Sequence, residues 1–223
     1  EADFSKIDND GPPLLKKISH NIDQGIPSTF TINSTDTLVK LCFSLLIRSP
    51  SFRDLYSRKG ASFGLPYNED TGKANISHFW RFAKDIDLSR CNSSRLALLR
   101  TDNAEFCFGD GLYDTIFSRA ISWQHHQNGW VADLVGDAFI PLLPNLCAYL
   151  YFERGTTGCQ SFELNVAPKI VTEVNELTQC YSKASLFFRD GHPVISANFL
   201  KNEHLRNLGP EQKLLKKLLS FSK

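Results

Sequence analysis

Between residues 96 and 152 the apolar residues fall into short runs, and that spacing constrains the fold more than any other feature of the chain. Leu96-Ala97-Leu98-Leu99, Phe106-Cys107-Phe108 and residues 131–140 and 146–152 are apolar or alternating, with turn-forming residues between them. Runs of this length read as strands rather than helices. The connectors are too short to hold crossover helices, so the strands are expected to pair antiparallel. The sequence therefore predicts strands at 96–100, 105–109, 135–140 and 146–152. Residues 116–130, with Trp123 and the pair His125-His126, read as a helix or a loop over that sheet.

On either side the period changes to helical. Pro12-Pro13 opens a series Leu14, Leu15, Ile18, Ile22, with proline suited to a first helical turn, and Gly25-Ile26-Pro27 closes it. Ser34-Thr35-Asp36 offers N-caps before Leu38, Leu41, Cys42, Leu45 and Leu46, a stripe predicting a helix over 36–47. Ser49-Pro50 breaks that helix and begins a shorter one. Residues 60–76 are polar and read as a loop or boundary. Pro168, Ile170, Val171, Val174 and Leu177 predict a helix over 168–182, followed by a late strand at Leu186-Phe187-Phe188. Gly209-Pro210 precedes a final helix with Leu214, Leu215, Leu218 and Leu219 opposite lysines, read as docked on the core with the lysines in water. Helices, then strands, then helices predict one α+β domain over 1–223: a helical segment at 1–60, a central antiparallel sheet at 95–155, and C-terminal helices with one strand at 165–223.

Composition narrows the function classes. A chain of 223 residues buries enough surface to fold without a metal or disulfide. A net charge of +1 carries no signature for a strongly anionic partner such as bulk duplex DNA. No membrane-length apolar run or signal peptide is present in the sequence. The six cysteines form no Cys-x-x-Cys pair, and Cys42, Cys107 and Cys147 lie among apolar neighbours, which predicts buried, reduced thiols and a cytoplasmic setting. Three glycosylation-type triplets, at Asn33, Asn75 and Asn92, leave secretion as the alternative. The chain opens on Glu1 and contains no methionine, as expected of a trimmed start or a piece of a longer protein.

The candidate chemistry centres on residues 101–114, TDNAEFCFGDGLYD. Gly109 and Gly111 flank Asp110 and leave room for a ligand to approach the backbone. The Asp110 carboxylate would then hold a metal or act as a general base. The competing reading is a turn residue bonding its own backbone. The acids at 102, 105, 110 and 114 do not have the alternation of a calcium loop. His125 or His126 could join Asp133 or Asp137 as an acid–base or metal pair, against a reading as exposed loop histidines. Arg48 and Arg53 flank Pro50 and could clamp an anion at the start of the next helix, against a reading as intramolecular ion pairs. No P-loop, dinucleotide fingerprint, nucleophile elbow or zinc-protease motif is present in the sequence, and no cofactor, metal or partner can be named from it.

Four segments carry a family resemblance: FSKIDNDGPPLLKKI, LIRSPSFRD, FCFGDGLYD and FIPLLPNLCAYL. In order and content they resemble domain-of-unknown-function family 4238, a mostly bacterial family with no established activity. The resemblance covers most of residues 4–190. It implies that Asp110 matches the aspartate of a Ser-Asp-Asn-Pro turn, and that Pro141, Leu142 and Pro144 match a Pro-Leu-x-Pro strand pair. Gly109 and Gly111-Leu112 depart from that turn, and the family's His-Tyr-x-Pro start is missing. On these grounds the chain reads as a ligand- or partner-binding module with a pocket near residues 109–114, lined by Arg48, Arg53, Gly109, Gly111, Pro141 and Pro144. The alternative is a hydrolase acting on nucleic acid or nucleotides, built on Asp110 with His125 or His126.

Overall fold

A mixed sheet of five strands carries the fold, in the order β3-β6-β7-β1-β8. It is seen in a computed structural model that describes residues 3–27, 30–62, 64–66, 68–85, 92–116, 123–126, 129–132, 136–157, 159–182, 184–190, 194–196 and 199. The helices α1 (Ser5–Asp23), α2 (Ile32–Arg48), α3 (Pro50–Ser62) and α4 (Glu69–Lys84) come first. They are followed by β1 (Asn92–Arg100), β2 (Phe108–Gly109), β3 (Tyr113–Asp114), β4 (Trp123–His126), β5 (Gly129–Ala132), β6 (Gly136–Leu143), β7 (Leu146–Thr157) and β8 (Cys159–Asn165). The chain then forms α5 (Pro168–Tyr181) and β9 (Leu186–Phe187). This is the α+β arrangement the sequence predicts.

The alternation of side chains explains why the central strands read as unbroken apolar runs. Leu96, Leu98, Ala138, Ile140, Ala148 and Leu150 face one core, shared with α1, α2 and α4. Ala97, Leu99, Phe139, Cys147 and Tyr149 face the other, covered by Val171, Val174 and Leu177 of α5. A sheet buried on both faces has no polar row to expose.

Three pairings are antiparallel as expected: β3 with β6, β6 with β7, and β7 with β1. The fourth differs. β8 lies parallel to β1, with Ser94 opposite Cys159 and Arg100 opposite Asn165. β7 and β8 are joined through a single residue at position 158 and straddle the start of β1, so no crossover helix is needed. Residues 105–109 also depart from expectation. Only Phe108–Gly109 is a strand, and it pairs with β9 outside the main sheet. The Phe106 N–H is taken by the Pro144 carbonyl (2.7 Å) and the Cys107 N–H by Asn175 Oδ1 (2.8 Å), so neither is free for a ladder. Within 116–130 the backbone forms a β4–β5 hairpin, not a helix. The expected helix after Pro210 lies outside the described residues.

In the helical segment, α1 starts seven residues before Pro12 and carries both prolines inside it. An interior proline costs a helix about 3 kcal/mol, so tertiary contacts must hold the first turn. They are present: Phe4 stacks on Trp80 at 4.4 Å, Ile7 is buried, and Asp8 takes a bidentate pair from Arg48. α2 is capped by Thr31, whose hydroxyl accepts the Ser34 N–H, while Ser34 Oγ accepts the Thr31 N–H. That reciprocal box, three residues before the expected cap, satisfies two donors at the helix start. Residues 69–76, expected as loop, belong to α4. Asn68 caps α4 by accepting the Thr71 N–H at 2.9 Å, and its buried residues are Gly72, Phe79, Trp80 and Ala83, with Ile76 and Phe82 packed against the same core.

Candidate functional site

The stretch 101–114 leaves β1 and is fastened at once to the β6–β7 turn. The Thr101 N–H donates to the Asn145 carbonyl (3.1 Å) and the Phe106 N–H to that of Pro144. Between these two anchors, residues 101–105 bulge over the end of α1 and border an open hollow of about 620 Å³. Its walls are Ile22, Asp23 and Gly25 from α1 and its end, Arg100 from β1, the bulge itself, Asn145, and Arg189 beyond β9.

The charges of this hollow are unevenly engaged. Glu105 is fully used: Oε1 accepts from Arg189 Nη2 at 2.7 Å and Oε2 from the Asp190 N–H at 3.2 Å. Arg189 is also held by Asp190 at 2.7 Å. Arg100 reaches Asp102 and Glu163 at 3.4 and 3.5 Å, and Asp102 accepts from Asn165 Nδ2 at 3.0 Å. By contrast, Thr101 is 2 % exposed, yet its hydroxyl has no hydrogen-bond partner among the described residues. Arg100 Nε is buried and equally unpartnered. Orphaned buried polar groups cost about 1–3 kcal/mol each and are rare in native folds.

The Gly109-Asp110-Gly111 bend sits at the other end of the stretch, and the protein's own atoms fill the space its glycines leave. A methyl on Gly111 would stand 2.5 Å from Ser51 Oγ and overlap the Tyr181 carbonyl, while one on Gly109 would overlap the Ser182 hydroxyl. The Asp110 carboxylate accepts the Ala184 N–H at 3.0 Å, its N–H donates to the Ser185 carbonyl, and its carbonyl accepts the Ser51 N–H at 3.3 Å. That last bond occupies the N-terminus of α3, where Arg48 and Arg53 were expected to hold an anion. Ser49 Oγ takes the next N–H, that of Phe52. The bend thus joins the helical segment to the end of α5.

The other expected site residues do not gather there. Arg48 turns away to Asp8, at 2.9 and 3.1 Å, and lies over the Phe4 ring at 4.7 Å. The ion-pair reading describes it, not the clamp. Arg53 lines a separate hollow of about 330 Å³ with Asp54, Glu69 and Lys73. Pro141 is buried in β6 opposite Cys147, and the Pro144 carbonyl accepts the Phe106 N–H. The backbones of His125 and His126 pair with Trp130 and Gly129, and their side chains, like Asp133, lie outside the described structure.

Asp137 belongs to a buried polar group of its own. Its carboxylate accepts from Thr115 Oγ1 (2.6 Å), Tyr113 OH (3.0 Å) and Tyr149 OH (3.4 Å). Burial, with the Asp137 charge beside it, pushes the Tyr149 hydroxyl far above its ordinary value. Donors that stay protonated suit a carboxylate hidden from water.

Sequence reasoning missed Asp23, Arg100, Thr101, Asn145 and Arg189 as a group, because four separate elements contribute them. One signal was legible: Asp23 is an acid in the last turn of a helix, where the backbone dipole disfavours it. Among the described residues no group of three or more His, Cys, Asp or Glu is placed to hold a metal, and no helix is long and apolar enough to cross a membrane. No family model, no curated protein and no solved structure matches the chain.

Proposed function

We propose that this protein is a small-molecule-binding module whose site is the hollow under residues 101–105. The carrying observation is the hollow itself, about 620 Å³, walled by Asp23, Arg100, the 101–105 bulge, Asn145 and Arg189. Charged and amide side chains from separate elements converge on its wall, and the volume is that of a small-molecule site. The reading moves the expected pocket from the 109–114 half of the stretch to its 101–105 half. Hydrolysis at Asp110 finds less support, since the carboxylate and both flanking glycines are taken up in joining α3 to the end of α5. A cytoplasmic setting belongs to the same proposal, supported by the free, buried Cys42, Cys107 and Cys147. So does membership of family 4238, which rests on the four segments alone.

A thermal-shift screen with sugars, amines, nucleotides, phosphate and divalent metals tests it. A ligand at about a hundred times its Kd adds about 2.7 kcal/mol, which raises Tm by about 5–11 °C for a chain of this size. The shift should shrink in Asn145→Ala and persist in Asp110→Ala. A metal-dependent shift lost in Asp110→Ala and kept in Asn145→Ala would favour the hydrolase instead.

A further inference from the structure

We propose that the hollow of about 330 Å³ between α3 and α4 is a second binding site, which takes a phosphate group, free or carried by a small molecule. The proposal is independent of the reading of the larger hollow.

Ser57 of α3 lines this hollow and is 7 % exposed, and its hydroxyl makes no hydrogen bond among the described residues. Unlike the Thr101 hydroxyl it keeps accessible surface. It faces Gly72 of α4, which lines the same hollow: a methyl on Gly72 would stand 3.6 Å from Ser57 Oγ. Among the described residues outside α4, no other group lies within 4 Å of that position. Packing therefore does not require a glycine there, although glycine is among the poorest residues for a helix interior. At Gly109 and Gly111 the protein's own atoms fill the space of the missing side chain. At Gly72 that space stays empty beside a buried hydroxyl.

The acceptors on this wall are engaged, and the donors are left over. Glu69 is paired with Lys73 at 3.0 Å, and Asp54 with Arg58 at 3.0 Å through an oxygen that is sealed from the hollow. Asn68 Oδ1 accepts the Thr71 N–H. Each acid has its own cation, and Arg53 is the charge that remains: its side chain makes no hydrogen bond or ion pair among the described residues, and neither does Asn68 Nδ2. The Glu69 carboxyl is held below its ordinary value by the Lys73 bond first and then by the Arg53 charge, which therefore acts across the hollow. A guanidinium, a hydroxyl and an amide N–H suit an oxyanion with several acceptor oxygens. Phosphate presents three of them and a carboxylate two.

Calorimetric titration of the full chain with inorganic phosphate, glycerol phosphate and acetate tests this, at constant ionic strength and about pH 8, where phosphate is largely doubly charged. Both phosphates should bind more tightly than acetate. A tighter ester marks a phosphorylated small molecule as the ligand, and an equal or weaker one marks the free ion. Arg53→Gln should weaken phosphate about tenfold or more, and Ser57→Ala about threefold to tenfold. Lys16→Gln, which removes an exposed cation of α1 outside the hollow, should leave affinity unchanged. Gly72→Ala separates a site from a merely structural gap. It should raise Tm by about 2–4 °C through helix propensity, yet weaken phosphate as much as Ser57→Ala does by filling the space beside the hydroxyl. No saturable binding of either phosphate, a preference for acetate, an equal loss in Lys16→Gln, or an affinity indifferent to Arg53→Gln or Gly72→Ala would overturn the proposal.

Discussion

Replacing Gly111 with alanine separates a bend that opens a ligand site from a bend that joins two parts of the fold. The added methyl would stand 2.5 Å from Ser51 Oγ and overlap the Tyr181 carbonyl, where ordinary contact begins at 3.4 Å. The Ser51 hydroxyl can rotate. The Tyr181 carbonyl cannot, because it belongs to the last turn of α5. The bend must therefore move outward by about 1 Å or more, as overpacking that costs about 1–3 kcal/mol. Such a shift also weakens the Ser51–Asp110 and Asp110–Ser185 backbone bonds and the Ser182 hydroxyl bond to the Gly111 carbonyl, each worth about 1 kcal/mol net. A total near 3 kcal/mol lowers Tm by about 6–12 °C for a domain of this length. Gly109→Ala serves as the internal comparison. Its methyl meets the Ser182 side chain, which can yield by giving up its bonds to Thr178 and Gly111, at about half the cost. Thermal and urea unfolding followed by circular dichroism reads both variants. A Gly111→Ala protein within about 2 °C of the parent, or a Gly109→Ala protein that is the less stable of the two, would refute the joining role.

Asn175→Ala should cost about 2–4 kcal/mol in urea unfolding. Its buried amide accepts the Cys107 N–H and donates to the Glu105 carbonyl, both at 2.8 Å, and alanine orphans both backbone groups. A loss under 1 kcal/mol would show that α5 does not anchor the stretch. The buried thiols give a pH dependence. Burial pushes Cys42 up to about 12, Cys107 up to about 11 and Cys147 well above its ordinary value. A raised acid favours the protonated fold, so this stability is complete below the unfolded thiol pKa near 8.5 and is lost as pH rises toward 11–12. The urea midpoint should fall across that window, and a thiol reagent at about pH 8 should modify these three only after denaturation. Rapid modification of all three in the native state would contradict their burial.

The sheet was legible in the sequence because burial on both faces leaves unbroken apolar runs within β1, β6 and β7. β8 was not, for the complementary reason. An edge strand reading Cys-Gln-Ser-Phe-Glu-Leu-Asn sends only Phe162 and Leu164 toward the α5 core and leaves its other face partly polar, as in Thr35–Ser161 at 3.0 Å. α4 hides by a similar mechanism. Its first two turns are polar because they lie at the surface, and its core contacts come late, at Phe79, Trp80 and Ala83. The start of α1 could not be read at all. The turns before the proline pair are held by Trp80 and Arg48, which come from other helices, and by the burial of Ile7. Local propensity is overruled there by partners that are remote in sequence.

The stretch TDNAEFCFGDGLYD shows why a site resists the same treatment. Glycines beside an acid suit a ligand that comes close to the backbone, and they suit another part of the chain that does so equally well. The two cases differ only in which atom occupies the place of the missing Cβ, and that atom is supplied from far away. Here it is the Tyr181 carbonyl or the Ser182 hydroxyl, some seventy residues on. The unfilled space lies instead beside Thr101, a residue with no sequence feature to mark it. Asn145, Arg100 and the end of α1 wall that space with it, and their meeting exists only once the fold has formed.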